Sequence, residues 1–150
     1  MWSRRSFVYA VAAAHLAAPL FAPAQAGSEP HRLALQISDN DPDKMTAVLN
    51  VAANVSKLYA AKGESVEIQI VAFNAGLHML RADTSPVKER LQSFASSMPN
   101  VSFKACNNTL EAMTKREAKS IAIVDTATLV PAGVVTLIEL GEAGWTIVRP

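Results

Sequence analysis

Only one cysteine, Cys106, stands in the whole chain, so no disulfide can form within it and no Cys-x-x-Cys pair exists. In an oxidising compartment a lone thiol is a buried filler, a link to another chain, or a group kept for chemistry. Glycines number six, and none falls in a phosphate-cradling loop of either common type. A Gly-x-Ser-x-Gly elbow is absent too, which removes the usual signature of an α/β-hydrolase nucleophile. Charged residues make up 18% and are nearly balanced, with 14 Lys and Arg against 13 Asp and Glu. No clustered basic excess is available to track a phosphate backbone, so a nucleic-acid partner is not expected.

What is present begins with an export signal. Arg4 and Arg5 precede an apolar stretch from Phe7 to Phe21, and Ala24-Gln25-Ala26 is the small-x-small pattern that a signal peptidase accepts. We expect cleavage after Ala26, a periplasmic destination, and no membrane anchor afterwards, because the apolar run is short and Ala-rich. Ser3-Arg4-Arg5-Ser6-Phe7-Val8 also resembles a twin-arginine signal. Residues 1–26 hold two of the basic residues and none of the acidic ones, so their removal turns the formal charge from +1 to −1. Residues 27–150 then form one domain of ordinary size, and with half of the chain apolar disorder is not expected.

Along that domain strands and helices alternate. Arg32–Ile37 reads as a strand, and Asp41 caps a helix that starts at Pro42 and stops at Gly63. Its apolar stripe is Met45, Val48, Leu49, Ala52, Val55 and Tyr59. Val66–Phe73 turns from alternating to wholly apolar, as a strand does on entering a covered sheet. A second helix opens at Ser85-Pro86 and ends before Pro99, and Val101–Cys106 is a third strand. A helix starting at Asn108, with Glu111 completing a capping box, follows. Ser120–Val124 reads as a fourth strand, Pro131–Leu140 as a helix, and Trp145–Val148 as a fifth strand. The expected fold is α/β: a single three-layer domain of about five mostly parallel strands with helices on both faces. Sheets of this kind place their sites outside the carboxyl ends of the strands. Those ends are the loops 38–42, 74–78, 106–109 and 125–131.

Cys106 is the leading candidate. It ends a strand and precedes a helix start, where free amides and the helix dipole favour thiolate over thiol. Spacing leaves two places open for Lys104, two residues back: on the other face from Cys106, or beside the sulfur, where its charge would lower the thiol pKa further. His78, in the loop after the second strand, is a candidate base or ligand. A metal would need Cys106, His78 and Asp39 or Asp41 together, a weak set, and the scattered methionines suit core packing better. We expect neither metal nor cofactor.

Several segments together resemble the DsrE/DsrF-like family of small sulfur-relay domains related to TusD. They are Val71-Ala-Phe-Asn-Ala-Gly-Leu-His-Met-Leu80, Val101-Ser-Phe-Lys-Ala-Cys-Asn-Asn-Thr-Leu110, Pro131-Ala-Gly-Val-Val135 and Gly144-Trp-Thr-Ile-Val-Arg-Pro150. The resemblance runs from about Arg32 to Pro150. It implies a parallel five-stranded α/β domain that assembles into homo- or hetero-oligomers, with a loop cysteine that carries sulfane sulfur as a persulfide. Cys106 matches that cysteine. Where the family often has glycine after it, this chain has Asn107, and the preceding loop reads Asn74-Ala75-Gly76.

Two functional readings follow. In the first, an exported thiol protein carries sulfane sulfur on Cys106 between a donor and an acceptor protein. His78 assists proton transfer, and Asn74, Gly76, Asn107, Asn108 and Thr109 surround the persulfide. Such a carrier is not a classical enzyme. In the second, the same loops form a non-catalytic ligand-binding or assembly module with a structural cysteine.

Overall fold

A computed structural model describes residues 29–150. The proposed signal peptide and its cleavage point after Ala26 lie outside the described residues. Among the described residues there are five strands: β1 (His31–Ile37), β2 (Val66–Ala72), β3 (Val101–Cys106), β4 (Ala127–Val130) and β5 (Thr146–Val148). The helices are α1 (Pro42–Ala61), α2 (Lys88–Ser97), α3 (Asn107–Glu117) and α4 (Gly133–Glu142), and a 3₁₀ segment spans Asn74–Leu80. All strand pairs are parallel, in the order β4-β3-β2-β1-β5, so the expected α/β sheet is the one found.

This order decides where the helices go. The chain steps from β1 through β2 and β3 to β4 in one direction, then returns across the sheet to place β5 beside β1. Crossovers between parallel strands are right-handed, so reversing the direction of travel puts the connecting helix on the opposite face. Accordingly α1, α2, α3 and the 3₁₀ segment pack on one face, over Leu35, Ile37, Ile68, Ile70, Phe103 and Ala105. Among the described residues helix α4 covers the other, setting Leu137 and Leu140 against Ala34 and Val71. The two faces are unequal: one holds the main core, the other a thin layer under a ten-residue helix.

Local signals explain most boundaries. Asp41 accepts hydrogen bonds from the amides of Asp43 (2.9 Å) and Lys44 (3.3 Å), and Pro42 takes the first helical position of α1. Gly63 ends the turn after that helix with φ +71°, a left-handed conformation that suits glycine.

Two readings need correction. Ser120–Val124 is not a strand of the sheet: Ile121 and Val124 are buried in the main core, and Ile123 makes one antiparallel bridge with Arg81. That bridge is held by Ala82 N–H to Ala122 O and Val124 N–H to Leu80 O, both 2.9 Å. The place beside β3 goes instead to Ala127–Val130, since a short apolar run packs equally well as an irregular plug and periodicity cannot separate the two. The capping box also fails to form. Helix α3 begins one residue earlier, at Asn107, with Cys106 itself as the N-cap, and Glu111 accepts from the side chain of Asn107 at 2.8 Å.

A buried charge locks this end of the core. The side chain of Arg81, 1% exposed, donates to both carboxylate oxygens of Asp83 (2.9 and 2.8 Å) and both of Glu117 (2.6 and 2.9 Å). It thereby ties the end of the 3₁₀ segment to the last turn of α3. Lys119 adds a 3.0 Å contact to Asp83. The arginine hydrogen bonds hold the carboxyl groups of Asp83 and Glu117 below the usual carboxylate range.

Candidate functional site

The face on which a connecting helix lies changes between β3 and β4. Helix α3 leaves β3 toward the main core, whereas α4 leaves β4 toward the opposite face. Adjacent strands whose connections diverge leave a crevice at their carboxyl ends, and ligands of open α/β sheets sit in such crevices. Cys106, the last residue of β3, occupies that point.

Alternation along β3 turns Val101, Phe103 and Ala105 into the main core and Cys106 to the side of α4. There it meets Gly133, the first residue of α4. A Cβ on Gly133 would stand 3.3 Å from the Cys106 Cβ and 2.9 Å from that of Phe73, so only glycine lets the α4 backbone come this close to the thiol. The amino ends of two helices, α3 and α4, therefore converge on one sulfur. Amides in a first helical turn have no partner within the helix, and here they face an atom that can become an anion.

The electrostatics follow from that placement. Cys106 is 5% exposed, and its burial by itself raises the pKa. Hydrogen bonding from the Thr109 hydroxyl and from the amides of Gly133, Thr109 and Asn108 outweighs the burial, so the thiol sits below its ordinary value. Cys106, the N-cap of α3, makes no side-chain hydrogen bond to the first-turn amides, so these groups stand near the sulfur rather than bonded to the thiol. The Asn108 amide also donates to Pro131 O at 3.2 Å, which leaves less of it for the sulfur.

Thr109 is itself oriented. The Asn74 amide donates to Thr109 Oγ1 at 3.0 Å, leaving the hydroxyl proton to be directed elsewhere. Asn74 holds φ +48°, a conformation that asparagine tolerates better than most non-glycine residues. Gly76 allows the turn that follows: a Cβ there would collide with the carbonyl of Ile37 and lie 2.8 Å from the Ser38 amide nitrogen. The 3₁₀ segment thus presses against the end of β1, and this brings Asn74 to α3.

Between α3 and the 3₁₀ segment opens a groove of about 410 Å³, which Cys106 itself does not line. Its polar lining is Asn40, Asn74, His78, Asn108, Thr109 and Arg116, over Ala75, Ala112 and Met113. His78 reaches this groove but not Cys106. Its Nδ1 lies 2.8 Å from Thr84 Oγ1, and burial, with Arg81 adding to it, lowers its pKa. Of the expected site residues, Asn74, Asn108 and Thr109 line the groove, Asn108 and Thr109 also act on the thiol, Gly76 shapes the loop, and Asn107 turns to Glu111. Gly133, Asn40 and Arg116 escaped the reading of the sequence. The spacing of Asn108, Ala112 and Arg116 at steps of four was the available signal for the last. Among the described residues no three of His, Cys, Asp and Glu are placed to share a metal ion.

No family model matches the chain, and no curated protein matches it. Among solved structures it is similar to the protein of unknown function MTH1491 from Methanobacterium thermoautotrophicum, with a TM-score of 0.67 and 26% identity over 80% of this chain and 99% of that one.

Proposed function

We propose that the protein is an exported thiol carrier that holds sulfane sulfur as a persulfide on Cys106, as its resemblance to the DsrE/DsrF-like sulfur-relay domains implies. The observation that carries this reading is the pairing of two helix amino ends on a single sulfur whose pKa is lowered despite burial. A persulfide is a stronger acid than its thiol, so donors that favour a thiolate also favour a terminal persulfide anion. In the carrier the thiolate attacks a sulfane sulfur, the donor's leaving group departs with the electron pair of the broken bond, and the outer sulfur is later handed to an acceptor thiolate. Thr109, oriented by Asn74, is the principal side-chain donor to the sulfur, and His78 is a proton-handling residue of the adjoining groove.

Partners fit the same reading. Helix α4 exposes Val134 (53%), Val135 (50%) and Ile138 (55%), which lie three and four residues apart on one face and follow directly on Gly133. Such a surface beside the thiol suits a second copy, a donor or an acceptor. Export by the amino-terminal signal would leave a lone thiol with no internal partner for disulfide formation, which preserves it for sulfur transfer.

Intact-mass measurement after incubation with a sulfane-sulfur donor tests the proposal. Wild type should gain one sulfur and Cys106→Ser none. An unmodified wild type with a thiol pKa at or above about 8.5, the free value, would instead favour a binding module with a structural cysteine.

A further inference from the structure

The groove between α3 and the 3₁₀ segment has a regularity that the thiol does not explain. Three adjacent parallel strands, β1, β2 and β3, each lead into a segment that places an asparagine just past the strand end, and Asn40, Asn74 and Asn108 all line this one groove. Asparagines at such places ordinarily cap the following helix or close a turn on their own backbone. These three cap nothing: Asp41 caps α1, and the amino ends of the 3₁₀ segment and of α3 receive no side-chain cap. Asn74 and Asn108 bond through their backbone amides, to Thr109 Oγ1 and Pro131 O. Among the described residues their carboxamides, and that of Asn40, are left for an occupant of the groove.

Charge in the groove is sparse. No carboxylate lines it, and Arg116 makes no ion pair among the described residues, Glu117 being turned to Arg81 and Lys119. His78, with Nδ1 engaged at Thr84, keeps only Nε2 for an occupant. Burial, and then the charge of Arg81, hold this imidazole below its ordinary pKa, so at neutral pH it is uncharged and Arg116 carries the fixed charge of the lining. Carboxamides offer donors and acceptors together, which suits hydroxyl groups better than a bare anion. One guanidinium balances one negative charge, and its flat fork matches a carboxylate. Ala75 and Ala112 beneath suit a carbon chain, and about 410 Å³ falls within the roughly 300–1,000 Å³ of small-molecule sites.

We infer that this groove binds a small polyhydroxy carboxylate of the sugar-acid class, with the carboxylate on Arg116 and the hydroxyls on the carboxamides of Asn40, Asn74 and Asn108. The site is separate from Cys106, which does not line it, and the inference does not rest on the carrier reading. A phosphate dianion fits less well, because one guanidinium offsets only half of its charge.

Gluconate, a linear sugar acid, is the probe, compared with sorbitol, acetate and inorganic phosphate. Titrated into the isotope-labelled protein, gluconate should give saturable amide shifts at Asn74, Asn108 and Thr109, and the other three should each bind at least about tenfold more weakly. Arg116→Gln should weaken gluconate by about tenfold, the effect of one charge-assisted hydrogen bond, and leave sorbitol as in wild type. Asn40→Ala should weaken gluconate and sorbitol alike and leave acetate unchanged. Both changes fall at exposed positions, so urea midpoints should match wild type. Cys106→Ser should bind gluconate as wild type does, and a loss there would overturn the separation of this site from the thiol. Absence of saturable shifts with gluconate, or a gluconate affinity that neither Arg116→Gln nor Asn40→Ala moves, overturns the site. Acetate or phosphate binding as tightly as gluconate overturns the sugar-acid class.

Discussion

Replacing Thr109 by valine removes one hydroxyl and little volume, and that single change probes the electrostatic argument. The hydroxyl is the largest of the influences that lower the Cys106 pKa, and Asn74 N–H, 3.0 Å from Oγ1, holds it in place. A hydrogen bond to a charged group is worth about 1.5–3 kcal/mol. At about 1.36 kcal/mol for each pH unit, Thr109→Val should raise the thiol pKa by about 1–2 units. The amides of Gly133, Thr109 and Asn108 remain, so the variant should stay reactive at higher pH. Asn74 N–H lies at an exposed residue and can turn to water, which keeps the stability loss to about 1 kcal/mol or less. The assay is the pH dependence of alkylation by iodoacetamide, with Thr109→Ser as the control that keeps the hydroxyl. If valine and serine variants titrate alike, or if valine leaves the wild-type midpoint unchanged, Thr109 does not set the acidity of the thiol.

Other outcomes follow from the same contacts. Because the folded pKa of Cys106 lies below the ordinary thiol value, the thiolate stabilises the fold fully above the unfolded pKa and loses that contribution as pH falls through the folded value. Urea titrations should therefore show wild type gaining on Cys106→Ser as pH rises toward about 8.5, and a loss over that range would mean that the pKa is raised. Arg81→Met should destabilise the fold by about 2–3 kcal/mol, below the usual cost of breaking a buried pair because Asp83 and Glu117 keep access to water. Those carboxyl groups, held low by Arg81, contribute stability above the ordinary carboxylate range that is lost as pH falls through their folded values, so acid unfolding of Arg81→Met should be less steep. Gly76→Ala should cost about 3 kcal/mol in chemical denaturation, since its Cβ meets the backbone of Ile37 and Ser38, which cannot swing aside.

Much of this was legible in the residues and some was not. Asp41 with Pro42 fixed the start of α1, and the wholly apolar end of β2 announced a sheet covered on both faces, because caps and burial leave local traces. The strand at 120–124 was misread since Ile121 and Val124 are apolar for a reason that strand pairing and core plugging share. Cys106 could be picked out by its solitude and by its place between a strand and a helix. Its acidity could not be read from those facts, as burial pushes one way and four donors the other.

The sequence by itself determined the alternation of strands and helices and the single thiol at the end of a strand, which are properties of neighbours along the chain. Only the tertiary structure decided that α4 crosses to the opposite face, that Gly133 therefore brings a second helix end against Cys106, and that Asn74 and Thr109, 35 residues apart, share a hydrogen bond. Those contacts depend on the direction in which the sheet is wound, and no local pattern of residues encodes it.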